Sequence, residues 1–531
     1  MVTVSKTDVL VIGGGMAGLW AGVRARQGSV QVMLVDKAEP GKCGQSAFAA
    51  GDIDILPPGE DLDKLANAWL AEFPLASKSM LTEFLATSYA KIKEMQSWGI
   101  VFETDKSGKL DIRNGPAGKR RVLTPGFPLM QKLRNHAEGM GINIRSRLFI
   151  TDLLINDHEV IGVVGFDIRT GEKHRITAKS VVMATACYGV KANNFQGTGF
   201  LAGDGLAMAY RAGAALYNTE FLRGNTGHRD HNTVGMAKFT AAFGGRMLNT
   251  KGEYFMSKYR PNAEKPDVAP NYEFWIAMAK EVQAGNGPIY FDITGIKPDD
   301  YQLARRLLPH LFKSLDAAGV DIREKPMPWI PVGYRGFGGL LHDQQFRSSL
   351  NGLFACGDAT SAVTFGWAIY SGAKAGTAAA DYVAWVNPPH SDESQAEKLL
   401  DTAFRPLRSS GKTTPDEIIY KIQSVLVPYD VLILKNADSL KKALEEIVSI
   451  REDSIPCLKA RDTHELMKTN EAINMALITE VHLRAALLRQ ESRNFHYRTD
   501  FPEKNDNNWY KWLCVNKTPA GINITEEPVS G

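Results

Sequence analysis

The stretch DVLVIGGGMAGLWAGVRARQGSVQVMLVDKAE, residues 8–39, constrains the fold of this chain more than any other. Asp8 to Ile12 reads as a buried apolar strand, Gly13, Gly15 and Gly18 form G-x-G-x-x-G, a helix runs through Arg26, and a second strand from Gln31 to Val35 ends at Asp36. Each glycine has a physical task. Gly13 permits the tight turn, Gly15 lets backbone approach a pyrophosphate, and Gly18 lets helix and strand pack closely, while the helix N-terminus favours an anion. Asp36 is placed to accept hydrogen bonds from ribose hydroxyls. A glycine turn that binds nothing is the alternative, and the strand, helix, strand and terminal acid together argue against it.

At 531 residues the chain is too long for one core and divides into two to four domains. With 62 basic and 59 acidic side chains, its net charge of +3 gives no reason to expect a nucleic acid partner. Met1 to Thr7 lacks the basic flank and apolar core of a signal peptide, and no stretch reaches the length of a membrane span. Cys43, Cys187, Cys356, Cys457 and Cys514 include no Cys-x-x-Cys, so the chain builds no zinc knuckle or iron–sulfur cluster alone. A reduced, cytoplasmic protein is the expectation.

Two further apolar strands end in small-residue turns, AKSVVMATACYG (178–189) and NGLFACGDATSAV (351–363). With the first motif, GQSAFAAGDI (44–53), GTGFLAGDGLAMAYRAGAAL (197–216) and the C-terminal ESRNFHYRTDF (491–501), they give nearly the whole chain a resemblance to the flavoprotein subunits of the fumarate reductase and succinate dehydrogenase superfamily. Within that superfamily ARDTHEL (460–466) and ESRNFHYRTDF are similar to the alpha subunit of adenylylsulfate reductase. The resemblance implies an α/β fold: a Rossmann-like two-dinucleotide FAD-binding domain split over 1–225 and 340–386, an inserted α+β capping domain over 226–339, and a C-terminal helical domain over 387–531. The FAD contacts it implies are Gly13, Gly15, Ala17, Gly18, Asp36, Lys37, Gln45, Ser46, Gly51, Ala186, Asp204, Gly357, Asp358 and Ser371. Asp204 reads equally as a helix N-cap. A helix opening near Ser371-Gly372 would aim its N-terminus at the flavin. Gln45 stands where relatives with covalent flavin have histidine, so FAD is expected to be noncovalent.

Three substrate frames of the family keep their glycines and change their contents. Ala241 replaces the proton-donating arginine in AAFGG, Tyr334 and Arg335 replace His and Tyr in GYRGFGG, and Ile369 replaces a carboxylate-binding arginine in GWAIYSGAKAG. An isoleucine cannot make the charge-assisted hydrogen bonds a carboxylate needs. FLRGNTGHRDHNTVG (221–235) gathers Arg223, His228, Arg229 and His231, and there His228 and Arg229 are the first candidates for proton transfer and anion binding. A solvated basic loop is the alternative. Arg335 and Tyr334 are the other expected substrate contacts, a buried Arg335 paired with a carboxylate being the plainer reading. The charged run from Glu480 to Arg493 reads as a solvated helical face, with Arg493 and His496 structural.

The function expected is an FAD-dependent oxidoreductase acting on a small molecule other than a simple dicarboxylate, adenylylsulfate-reductase-like, with an iron–sulfur, ferredoxin-like partner subunit. Its rivals are a fumarate reductase or succinate dehydrogenase subunit, an enone or steroid dehydrogenase using the apolar Phe239, Phe243 and Ile369, and an electron-transfer subunit with no substrate of its own.

Overall fold

Val9 to Ile12 lie in the middle of a seven-stranded sheet, each at most 5% exposed. A computed structural model describes residues 2–49, 51–73, 75–114, 118–192, 198–231, 243–361, 363–388 and 393–529, without the side chains of residues 198, 333 and 334. Strands Asn143–Arg145, Val32–Val35, Val2–Ile12 and Lys173–Met183 run parallel in that order. Leu353–Ala355 adds a parallel strand beside Lys173–Met183, and Glu159–Asp167 and Leu148–Asn156 extend the sheet antiparallel. Covered on both faces, the parallel strands read as continuous apolar runs.

Helix Met16–Gln27 packs against helix Phe365–Val383 with main chain brought close to main chain at two glycines. A Cβ on Gly372 would lie 2.3 Å from the Ala17 carbonyl oxygen, and one on Gly376 would lie 2.2 Å from that of Ala21. The late helix therefore starts earlier than its sequence implied. Thr364 caps it, accepting from Trp367 N–H, so Ser371 and Gly372 sit in its second turn, at the crossing, and not at its N-terminus.

The inserted region forms a four-stranded antiparallel sheet, ordered Leu222–His228, Met327–Gly336, Ile289–Asp292, Arg246–Leu248. Helices Asn271–Gln283, Pro298–Leu307 and Pro309–Ala317 cover it, with Phe291 stacked on Trp329 in its core. The cut proposed at residue 225 falls inside its first strand.

Helices Glu393–Phe404, Pro415–Leu426, Ala437–Ser449 and Thr463–Leu488 follow, but the C-terminal region is not wholly helical. Lys511–Thr518 and Gly521–Pro528 form a hairpin that buries Leu513 and Val515 and pairs Val515 with Leu216 of the first domain. Nor is the charged run solvated. The long helix ends at Leu488, and beyond it Arg489, fully buried, bridges Glu220 at 2.7 Å and Glu491 at 2.9 Å while Arg493 takes Glu491 at 2.7 Å. Mutual pairing is what makes such burial tolerable. Among the described residues no helix is long and apolar enough to cross a membrane.

His482 and His496 are fully buried, their ring nitrogens set against the carbonyl oxygens of Thr219 and Arg489 respectively. Burial, reinforced by Lys435, pushes His482 down to about 3, and burial, Lys435 and Arg489 push His496 well below its ordinary value. Both stay neutral when folded, so below pH 6.5 the unfolded chain takes up protons that the folded chain refuses. The thermal midpoint is expected to fall as pH drops from 6.5 toward 3, each histidine adding a slope of about 1.4 kcal/mol per pH unit. Melting curves across that window should show His482→Gln with a shallower decline.

Candidate active site

The first strand turns at Gly13, whose φ of +108° only glycine adopts readily. Helix Met16–Gln27 then opens with Gly15 as its N-cap, no side-chain cap and no acid in its first turn. Its leading N–H groups therefore present positive potential, with no acid of the helix's own first turn to offset it. Ser46 Oγ accepts from Met16 N–H at 3.3 Å. Asp36 is locked by Gly14 N–H and Ala38 N–H, each at 2.6 Å, with its carboxylate at the same opening.

Around this turn lies a cavity of about 340 Å³. Gly13, Gly15, Ala17, Asp36, Lys37, Gln45, Ser46, Ala186, Asp204, Gly357 and Asp358 all line it. Gly18, Gly51 and Ser371 do not, and each has another task. A Cβ on Gly18 would lie 1.8 Å from the Gly13 carbonyl oxygen, and one on Gly51 would lie 2.0 Å from that of Thr124. Ser371 Oγ accepts from Gly357 N–H at 2.9 Å, which holds that turn at φ +63°. Asp204 is the first residue of helix Asp204–Ala212, and Gly203 is its N-cap.

The wall suits a flavin dinucleotide. Gln45 Nε2 and Thr185 Oγ1 are buried polar atoms without a hydrogen-bond partner among the described residues, and both residues line the cavity. Such groups are costly unless a ligand satisfies them. The uncapped helix start fits the pyrophosphate and Asp36 fits a ribose, while Thr364, Phe365 and Ala368 bring the start of the late helix to the same wall.

A second end of the cavity carries cations. Strand Leu222–His228 pairs with Met327–Gly336 so that Arg223 and Arg335 stand directly opposite each other. Arg335 Nη1 donates to Gln45 Oε1 at 2.5 Å and lies 3.4 Å from Asp358. Arg223 Nη1 donates to the Val363 carbonyl at 2.6 Å. Burial, then Arg335, lower Arg223 to about 10, so it remains a cation at neutral pH in an environment that disfavours its charge. Like charges facing across a strand pair are destabilising by themselves.

Lys119 and Arg121 face the same cavity. Arg121 bonds Asp54 at 2.9 Å and lies 3.4 Å from Asp52, and Lys119 bonds Glu72. Lys119 and Arg223 flank one ring, at 5.3 and 5.7 Å from the centroid of Phe73. Tyr272, Asn225 and Phe495 complete this end. None of these except Arg223 was singled out from sequence. The signal available was the period-two spacing of Asp52/Asp54 and of Lys119/Arg121, of which Asp54 and Arg121 are direct partners on strands Ile53–Ile55 and Arg120–Val122.

His228 and Arg229 are not in the wall, which corrects their assignment. Arg229 is exposed and pairs with Asp230 at 2.9 Å. His228 Nδ1 accepts from Asp230 N–H, and burial, then His231, lower its pKa to about 4, so it is neutral at pH 7 and poor as an acid. Arg246 is also turned away, toward Asp267 at 2.9 Å. Ile369 is buried in helix Phe365–Val383, off the wall. Phe243 packs against the core of the inserted region. Phe239, Ala241 and the side chain of Tyr334 lie outside the described residues.

The chain matches the FAD binding domain family over residues 8–374 and the fumarate reductase flavoprotein C-terminal family over 423–531. It is 27% identical to one of the subunits of the fumarate reductase (CoM/CoB) of Methanothermobacter marburgensis, over 96% of this chain and 97% of that one. It is 28% identical to an uncharacterized FAD-dependent oxidoreductase of Methanocaldococcus jannaschii, over 94% of each. In fold it is similar to E. coli quinol fumarate reductase FrdA, with a TM-score of 0.88, 20% identity and coverage of 100% and 97%. Adenylylsulfate reductase of Archaeoglobus fulgidus gives 0.84 at 21% identity, covering 99% of this chain and 96% of that one.

The two glycines of the turn separate packing from binding. Gly18→Ala should clash with backbone, costing on the order of 1–3 kcal/mol, and lower both thermal midpoint and flavin content. A Cβ on Gly15 meets nothing nearer than Ser46 Oγ at 3.7 Å, so Gly15→Ala should keep its melting temperature as apoprotein and lose flavin, read from the flavin-to-protein absorbance ratio.

Proposed function

We propose, for a chain that belongs to the FAD binding domain family and within it to the fumarate reductase and succinate dehydrogenase flavoproteins, that it moves two electrons between an anionic small molecule other than a simple dicarboxylate and an external iron–sulfur carrier. The protein is an FAD-dependent oxidoreductase; the substrate and the carrier are our reading. The observation that supports an anion is Arg223 facing Arg335 in the cavity wall. Two opposed, partly desolvated guanidinium groups repel each other, and an anion seated between them would turn repulsion into two charge-assisted hydrogen bonds. Ile369, buried off the wall, offers no donor for a second carboxylate. An adenylylsulfate-type anion is one member of the class left.

FAD, when bound, supplies the electron pair. Gly15, Ala17 and Ser46 would receive its pyrophosphate and Asp36 its ribose, and Gln45 offers no nucleophile for a covalent link. The chain's own part is to orient the anion on Arg223 and Arg335 and to carry the accompanying proton. Lys119 Nζ has the right chemistry for that proton: it lines the cavity, its carboxylate partner Glu72 reaches a partly exposed position, and it shares the Phe73 ring with Arg223. An external carrier is supported by the scattered cysteines and by relatives named as subunits.

Fumarate itself is a second reading, favoured by the curated relatives named as fumarate reductases. Anaerobic stopped-flow mixing of dithionite-reduced protein with fumarate, and separately with adenylylsulfate, decides between them. Fast flavin reoxidation by fumarate would overturn our reading. Arg223→Met and Arg335→Met should retain flavin while weakening the productive anion about 10- to 100-fold, the worth of one charge-assisted hydrogen bond. Lys119→Met should slow turnover by about 100-fold or more with anion binding, followed by the flavin spectrum, nearly intact.

A further inference from the structure

Lys37, next to Asp36, lines the dinucleotide end of the cavity, yet the group that fixes it comes from the far end of the sequence. Its Nζ donates to Asp204 Oδ2 at 2.6 Å and to Glu471 Oε1 at 2.5 Å. Glu471 belongs to helix Thr463–Leu488, is 1% exposed, and takes Lys191 on its other oxygen. One turn along, Asn474 Nδ2 donates to Asp204 Oδ1 at 2.9 Å. Arg211 then ties Asn474, at 2.7 Å, to Asp152, at 2.9 Å. Glu471 and Asn474 thus stand behind both polar side chains, Lys37 and Asp204, that the wall offers beside Asp36.

We infer that Glu471 is a positioning residue for the adenosine half of FAD, so that docking of the helix Thr463–Leu488 and retention of the dinucleotide are one linked equilibrium. Glu471 does not itself line the cavity; it acts by holding Lys37 in one rotamer against Asp204. Burial alone would lower the pKa of Lys37, but Asp204 and Glu471 outweigh it and raise it above the lysine range. Burial opposes ionisation of Glu471 too, and Lys37 and Lys191 overcome it. A neutral residue at 471 would leave Asp204 as the one carboxylate on Lys37 and take from Lys191 the carboxylate it pairs with, and Lys37 would no longer be held from two sides. Thermodynamic linkage makes the effect reciprocal: what binds Lys37 and Asp204 in their arranged positions must also tighten the helix behind them.

The inference rests on the FAD cofactor and is independent of the substrate reading. Its test uses apoprotein and three probes: FAD, FMN, which lacks the adenosine half, and ADP, which is most of it. In fluorescence titrations Glu471→Gln, equal in size to the native residue, should raise the Kd of FAD and of ADP by about tenfold or more and leave that of FMN within about twofold. An unchanged FAD affinity, or an equal loss for all three probes, would overturn the proposal. Should Glu471→Gln not fold, hydrogen exchange on the unaltered apoprotein decides instead. Saturating ADP slows exchange within 463–488 if the inference holds, and leaves it unchanged if it fails.

Discussion

The molecule is held around its cofactor by main chain resting on main chain. Gly18 sits on the carbonyl of Gly13, and Gly372 and Gly376 sit on Ala17 and Ala21, at separations no side chain would permit. These contacts join the first helix, made from residues 16–27, to one made from residues 365–383, and so close a domain whose halves are separated by the inserted sheet. Everything functional is hung from that junction. The uncapped N-terminus of the first helix and the Gly357 turn, held by Ser371 of the late helix, both open on one cavity because the two helices cannot slide apart.

The cation-bearing end of the cavity is governed by electrostatics. The strand register that places Arg223 opposite Arg335 is an arrangement a stability-optimised sheet would avoid, and Asp358, Glu72 and Asp54 moderate it without removing it. Unfavourable charge placement retained in a cavity wall is characteristic of sites that bind or react. The neighbouring cations are treated differently: Arg121 is matched to Asp54 and Asp52, and Lys119 to Glu72. On the other strand pair Asp358 lies 3.4 Å from Arg335, while the two guanidinium groups still face each other in register.

Much of the dinucleotide end was legible because its geometry is local. Gly13, Gly15 and Asp36 fall within one strand, turn, helix and strand, and short-range spacing states their relation directly. Residues whose roles depend on distant partners were not. His228 and Arg229 look like a catalytic pair in sequence, yet a two-residue Arg-Asp pairing takes one to solvent and burial neutralises the other. Arg489 looks solvated, because only the fold brings Glu220 against it. The hairpin beginning at Lys511 buries Trp512 to Val515 in one run, but its reason to exist is an edge at Leu216 almost 300 residues earlier. Glu471 lies 434 residues from Lys37, beyond any local pattern.

That hairpin also settles how a sheet ends. Its inner strand, Lys511–Thr518, is paired on both sides, while among the described residues the outer strand, Gly521–Pro528, leaves one row of peptide groups open. Open rows recruit other strands, and proteins blunt them with charge and proline. Here Glu526, Glu527 and Pro528 close the outer strand, with exposed side chains along most of it. Any chain that tried to extend the sheet there would meet two carboxylates and a missing donor, so the edge that completes the fold also declines to template another.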